Sequence, residues 1–148
     1  MKWLLTCISA IVLTIAGFSS TAQEKGTLII KISQLKNANG AVLLSLYNKS
    51  AGFPKDPNAA VRKTKVKIEN GTATVRFDNL PFGTYAVAML HDENNDLKMN
   101  FNFVGMPKEG YGFSNNAKGT FGPPDYDEAA FRFSEDGQKI EIRTNYFL

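Results

Sequence analysis

Thr64-Lys65-Val66-Lys67-Ile68-Glu69-Asn70-Gly71-Thr72-Ala73-Thr74-Val75-Arg76-Phe77 is the stretch that decides the fold class. Apolar and polar residues alternate on both sides of Asn70-Gly71. A period of two sends successive side chains to opposite faces of an extended chain, and Asn-Gly supplies the positive φ angles of a tight two-residue turn. Thr64–Ile68 and Ala73–Phe77 therefore read as a β-hairpin.

The same pattern extends outward. Upstream, Thr27–Leu35 places Leu28, Ile30 and Ile32 on one face, and Asn37–Gly40 turns into Val42–Tyr47, which reads as a second hairpin. The irregular stretch Lys49–Ala60 contains Pro54 and Pro57. Downstream, Asn79-Leu80-Pro81-Phe82-Gly83 turns into Tyr85–Leu90, whose nearly continuous apolar run predicts a central strand buried on both faces. Ala130–Ser134 and Lys139–Tyr146, joined by Glu135-Asp136-Gly137-Gln138, read as the two strands that close the domain. Short helical turns are expected only near Asn58–Arg62 and Asp127–Ala129. The predicted fold is all-β: a seven-stranded antiparallel β-sandwich, immunoglobulin-like or transthyretin-like, with one long loop from His91 to about Asp125. A small closed barrel is the alternative.

Met1–Ala22 has one cation, Lys2, an uncharged run of 16 residues from Trp3 to Phe18, and the small polar exit Ser19-Ser20-Thr21-Ala22. That is the pattern of a secretory signal peptide cleaved near Ala22-Gln23, since a helix needs about 20 apolar residues to span hydrocarbon. An uncleaved N-terminal anchor is the alternative. The expectation is an exported chain, periplasmic or extracellular, with residues 23–148 as one β-sandwich domain and no transmembrane segment in the mature part. Cys7, the only cysteine, lies near the start of the apolar run. A lipid-modified cysteine would follow that run, and the mature chain has no disulfide to form.

Charge carries little message about partners. Residues 23–78 hold 10 cations and 4 anions, and residues 79–148 hold 6 and 10. Lys63, Lys65 and Lys67 alternate along a predicted strand, as on a solvated sheet face. Without a clustered basic patch bearing stacking aromatics, nucleic acid is not an expected partner.

The chemistry concentrates after the central strand. Asp92, Asn94, Asp96, Lys98 and Asn100 occupy alternate positions, as do the ligands of a calcium loop, in which hard oxygens converge on one centre and the seventh residue offers its backbone carbonyl. Leu97 replaces the glycine of the sharp turn, and Phe103 stands where the bidentate Glu would be. Any calcium site would therefore be weak, in the range of about 10⁻⁴ to 10⁻³ M, with Glu109 able to add a ligand if the loop folds back. Turn capping by Asp and Asn side chains is the alternative that needs no ion.

His91, the only histidine, has no Gly-x-Ser-x-Gly elbow to serve, and Ser114 reads as a loop serine. The expected role of His91 is a strand-end hydrogen bond to the loop that follows it. Tyr111, Phe113, Asn115 and Asn116, with His91 and Glu109, make up the candidate ligand-binding loop. Exposed rings there would suit a sugar or peptide of the envelope; folded inward, they would pin the loop.

His91-Asp92-x-Asn94, Gly105-x-Pro107-x-Glu109-x-Tyr111-Gly112-Phe113-Ser114-Asn115-Asn116, Phe121-Gly122-Pro123-Pro124 and Ala129-x-Phe131, with Asn79-Leu80-Pro81-x-Gly83-x-Tyr85-Ala86 upstream, resemble the bacterial exported family catalogued as domain of unknown function 2141. The resemblance covers nearly the whole mature chain and implies no assigned activity. Family members commonly read Asp-x-Asn-x-Asn-Gly-Lys-Leu-Asp after the histidine. Leu97 and Asn100 depart from that pattern, which weakens the ion site that it would imply.

The functional expectation is an exported binding or accessory module without catalytic residues, with calcium as its one candidate cofactor and an envelope carbohydrate or protein as its candidate partner. A weak envelope-directed hydrolase using a carboxylate or His91, and a purely structural envelope protein, are the alternatives.

Overall fold

Eight strands form two facing sheets in the computed structural model, which describes residues 22–147. The leader expected over Met1–Ala22, and Cys7 with it, lies outside the described residues except for Ala22. The strands are β1 (Lys25–Ser33), β2 (Ala41–Tyr47), β3 (Arg62–Val66), β4 (Ala73–Pro81), β5 (Gly83–Asp92), β6 (Gly110–Phe113), β7 (Phe131–Phe133) and β8 (Gln138–Arg143). One sheet has the order β4-β1-β8. The other runs β3-β2-β5-β6, with β7 also pairing with β5. No helix among the described residues is long and apolar enough to cross a membrane.

The core is the alternation made three-dimensional. Leu28, Ile30 and Ile32 of β1 face Val42, Leu44 and Leu46 of β2 across the sandwich, and none is more than 1% exposed. At about 25 cal/mol per Å² of apolar surface removed from water, such side chains contribute most of the drive to fold. As expected, β5 is buried on both faces. Val87 and Met89 join the central core, while Ala86 packs outward under Phe113 and Ala129. The cover on that outer face comes from connecting segments: Phe53 sits at the centre of an edge-to-face cluster with Tyr47, Phe113 and Tyr126, at ring separations of 5.2, 6.1 and 5.8 Å.

Both predicted hairpins are corrected. The Asn70-Gly71 turn forms, with φ of 50° and 71° and a Glu69–Thr72 bridge, but beyond that bridge its arms part. β3 pairs with β2, and β4 pairs with β1. β1 and β2 likewise lie in opposite sheets, as do β7 and β8. Alternation says which side chains face inward, but an arch between facing sheets and a hairpin within one sheet satisfy it equally well. β8 runs parallel to β1, from Leu28–Gln138 to Ser33–Arg143, so the sheets are not purely antiparallel. β6 is an eighth strand inside the predicted loop.

β6 exists because of its glycines. A Cβ on Gly110 would lie 2.4 Å from the Tyr146 ring, and one on Gly112 would lie 2.8 Å from Ile142. Alternate glycines remove the inner side chains of a short strand and let the C-terminal segment cross it. There Tyr111 and Asn145 exchange backbone hydrogen bonds of 3.0 and 2.7 Å, and the chain leaving β8 ties the two sheets together.

Candidate functional site

β5 delivers His91 and Asp92 to one end of the sandwich, both fully buried. Residue 91 pairs with Val42 on one side and Gly110 on the other, so Glu109 arrives next to Asp92 by register. Gly40, at φ 65°, completes this floor: a Cβ there would collide with the Asp92 carbonyl at 1.8 Å.

The His91 ring is held at both nitrogens, by the Asn39 carbonyl (2.8 Å from Nε2) and the Tyr146 hydroxyl (2.7 Å from Nδ1). A carbonyl only accepts, so Nε2 carries the proton and Nδ1 accepts from Tyr146. The Tyr146 oxygen in turn accepts the Lys36 N–H at 3.2 Å. These partners lie in the β1–β2 turn and the C-terminal segment, which corrects the expectation that His91 bonds the loop it precedes. Burial pushes the Tyr146 hydroxyl pKa up, and the Glu93 charge adds to that; the Lys36 N–H opposes it. With both nitrogens engaged and the ring buried, His91 does not present a free base to solvent.

Above this floor the loop folds around its own side chains. Asp92 accepts the Asp96 N–H through Oδ1 (3.2 Å) and the Leu97 N–H through Oδ2 (3.0 Å). These two bonds curl the loop. Asp96 Oδ1 accepts the Lys98 N–H at 3.1 Å, and Oδ2 accepts the side-chain amides of Asn94 (3.1 Å) and Asn100 (2.8 Å). The Asn94 amide also donates to Asn100 Oδ1 at 3.0 Å. The Asn100 bond first, helped by Lys98 and Asn94, holds the Asp96 carboxyl below its ordinary range. Glu109, 5% exposed, accepts the Glu93 and Asn100 N–H groups at 3.1 and 3.0 Å.

The predicted ion residues are thus brought together, with Asp92 spent on the loop backbone and the side chains of Asn94, Asp96 and Asn100 clustered on one another. Lys98 joins only through its backbone. Among the described residues, no group of three or more His, Cys, Asp and Glu side chains comes together to hold a metal. Leu97 adopts φ 65°, so the left-handed turn that glycine would favour forms without it.

A cleft of about 370 Å³ opens beside this cluster, between Lys36, Glu93, Asn94, Asn100, Phe101 and Glu109. Lys36 bonds Glu93 at 2.8 Å and lies 4.8 Å from the centre of the Tyr146 ring. Burial would raise the Glu93 pKa, but the Lys36 and Asn37 hydrogen bonds and the Lys36 charge bring it below its ordinary value.

The other four predicted ligand residues go elsewhere. Phe113 is buried against Phe53, and Tyr111, half-buried, stacks on Phe147 with ring centres 6.0 Å apart. Asn115 donates to the Ala130 and Glu128 carbonyls at 2.7 and 3.2 Å, and Asn116 accepts the Arg143 N–H at 2.8 Å. Four residues of the His91 end were missed by sequence reading: Lys36, Asn39, Glu93 and Tyr146. Tyr146 is 55 positions from its partner, and no local pattern links the two.

A family model described as "Uncharacterized protein conserved in bacteria (DUF2141)" matches residues 30–141, from within β1 to within β8. No curated protein and no solved structure matches the chain.

Proposed function

The chain belongs to the DUF2141 family of bacterial proteins, and from that premise we propose that it is an exported binding or accessory module, periplasmic or extracellular, that takes a calcium ion in the loop leaving β5. The observation that carries this reading is the gathering of the Asn94, Asp96 and Asn100 side chains on one another, over a backbone already curled by Asp92. In that cluster the two amides stand toward Asp96 Oδ2 as a cation would. A half-turn of each amide exchanges nitrogen for oxygen in nearly the same volume and presents hard oxygen donors, the Asn94 oxygen giving up the Asp96 N–H that it accepts at 3.2 Å. The Asp96 carboxylate, two amide oxygens, the Lys98 carbonyl and the lone pairs that Asp92 keeps beside the two N–H groups it accepts suit calcium better than a softer metal. The low formal charge sets a weak affinity.

Calorimetric titration of the full chain with calcium chloride tests this reading. Binding heat is expected, together with a rise in melting temperature in about 5 mM Ca²⁺ that chelator reverses. For a Kd near 0.5 mM that rise corresponds to about 1.4 kcal/mol. Asp96→Asn should abolish both signals. A parent chain with neither heat nor shift removes calcium from the reading.

A further inference from the structure

Asn100–Lys108 forms a small projecting hairpin. Phe101 bridges Pro107, and the Lys108 N–H donates to the Asn100 carbonyl at 2.9 Å. Its tip, Asn102-Phe103-Val104-Gly105-Met106, is apolar outside and hydrogen-bonded inside. Phe103 is 99% exposed, Val104 63% and Phe101 58%. The Asn102 side-chain oxygen accepts the Val104 and Met106 N–H groups at 3.0 and 2.9 Å. The Gly105 N–H reaches the Asn102 carbonyl and the Asn102 N–H reaches the Met106 carbonyl, at 3.0 and 2.9 Å. Four of the five backbone N–H groups from 102 to 106 are thus satisfied within the tip.

We infer that this hairpin is a finger that inserts shallowly into a lipid surface. A turn that stays in water can leave its N–H groups to solvent, whereas backbone entering the edge of a bilayer must carry its hydrogen bonds with it. The side chains also fit: a fully exposed Phe beside Val loses water contact on insertion, at about 25 cal/mol per Å². A convex tip of a few residues cannot offer the roughly 800 Å² that a specific protein partner covers, but a fluid bilayer accepts it without shape complementarity. Lys98 and Lys108 flank the finger's foot, and among the described residues neither ammonium group makes an ion pair. The carboxylates close to them along the chain, Asp96 and Glu109, already accept amide and backbone N–H groups. Cations so placed favour anionic headgroups. Phe121 is equally exposed but lies in the 118–124 stretch, which lacks such turn bonds, so exposure alone does not make the case.

The test uses the full chain carrying Trp3→Phe and Phe103→Trp, so that the sole tryptophan reports from the tip, with chelator present to keep calcium out. On vesicles of phosphatidylethanolamine and phosphatidylglycerol, the emission should shift to the blue and be quenched by brominated acyl chains. Adding Phe101→Ser and Val104→Ser should raise the lipid concentration for half-maximal shift about tenfold or more, with the melting temperature unchanged. Lys98→Gln with Lys108→Gln should raise it severalfold on these vesicles and leave it unaltered on phosphatidylcholine alone. Unshifted, unquenched emission while the chain sediments with vesicles overturns the inference, as does a serine variant that inserts like its parent. So does a tip signal that changes with protein concentration and not with lipid, which would make the finger a protein contact.

Discussion

The two halves of the excursion between β5 and β7 use the same kinds of polar side chain to different ends. From 114 to 116 they tie strands and turns together. Ser114, fully buried, lies where β5 has passed β7 and not yet met β6; its hydroxyl accepts the Val87 N–H at 2.8 Å and donates to the Ala129 carbonyl. Asn115 and Asn116, both left-handed at φ 59° and 50°, tie the same turn to the Ala130 carbonyl and the Arg143 N–H. From 94 to 100 the side chains bond chiefly one another and their own loop, close to solvent. Side chain to fixed backbone has one solution, whereas side chain to side chain, through amides that can turn over, has several. The first half is scaffold, and the second is where a ligand could change the structure.

The contrast predicts its largest effect at Ser114. Ser114→Ala leaves a buried N–H and a buried carbonyl without partners, and the loss should be about 3 kcal/mol, or roughly 10 °C in melting temperature. A scan of the variant beside Asp96→Ala, which frees only exposed groups and should shift much less, checks the division. Equal losses would erase it.

Tyr146→Phe comes next. It leaves His91 Nδ1 buried without its donor and removes the oxygen that accepts the Lys36 N–H. The expected cost is about 1–2 kcal/mol in denaturant unfolding. Nitrogen NMR of the parent should show His91 protonated at Nε2; protonation at Nδ1 instead would contradict the bonding drawn around it.

How these regions read in sequence follows from how local their causes are. The inward faces of β1, β2, β4 and β5 follow from period two, and the Asn70-Gly71 turn from its left-handed requirement, so both were legible. Strand partners were not: Ile68 and Ala73 are adjacent across a turn, yet they open into opposite sheets, and only the summed packing of distant strands decides that. β6 left a signal in the alternate glycines of Gly110-Tyr111-Gly112, which imply close backbone approach. At the site, the oxygen spacing from Asp92 to Asn100 located the cluster. The floor under it depends on Asn39 and Tyr146, which only the tertiary fold brings to His91.

Leu97→Gly tests the exposed half alone. Leu97 holds φ 65° while its side chain is 64% exposed, so glycine relieves the left-handed penalty and forfeits little packing. The protein should gain roughly 0.5–1 kcal/mol in urea unfolding, and any calcium affinity should rise with it. A loss of stability would mean that the Leu97 side chain contributes more to this loop than its exposure implies.

The smallest effect concerns protons. The Asp96 carboxyl titrates below its ordinary value of 3.8, chiefly because the Asn100 amide bonds its charged form. A group whose pKa is depressed on folding binds more protons when unfolded, so its contribution is fully present above the unfolded value and fades as pH falls through the folded one. The side-chain amide signals of Asn94 and Asn100 should therefore hold constant from neutral pH down to about 4 and move together below it, as Asp96 takes its proton and releases both donors. The Ser114 and Asn115 bonds involve no titrating partner and should show no matching change. Amide signals that drift through neutral pH, or that move one without the other, would show that Asp96 is not the acceptor that gathers the loop.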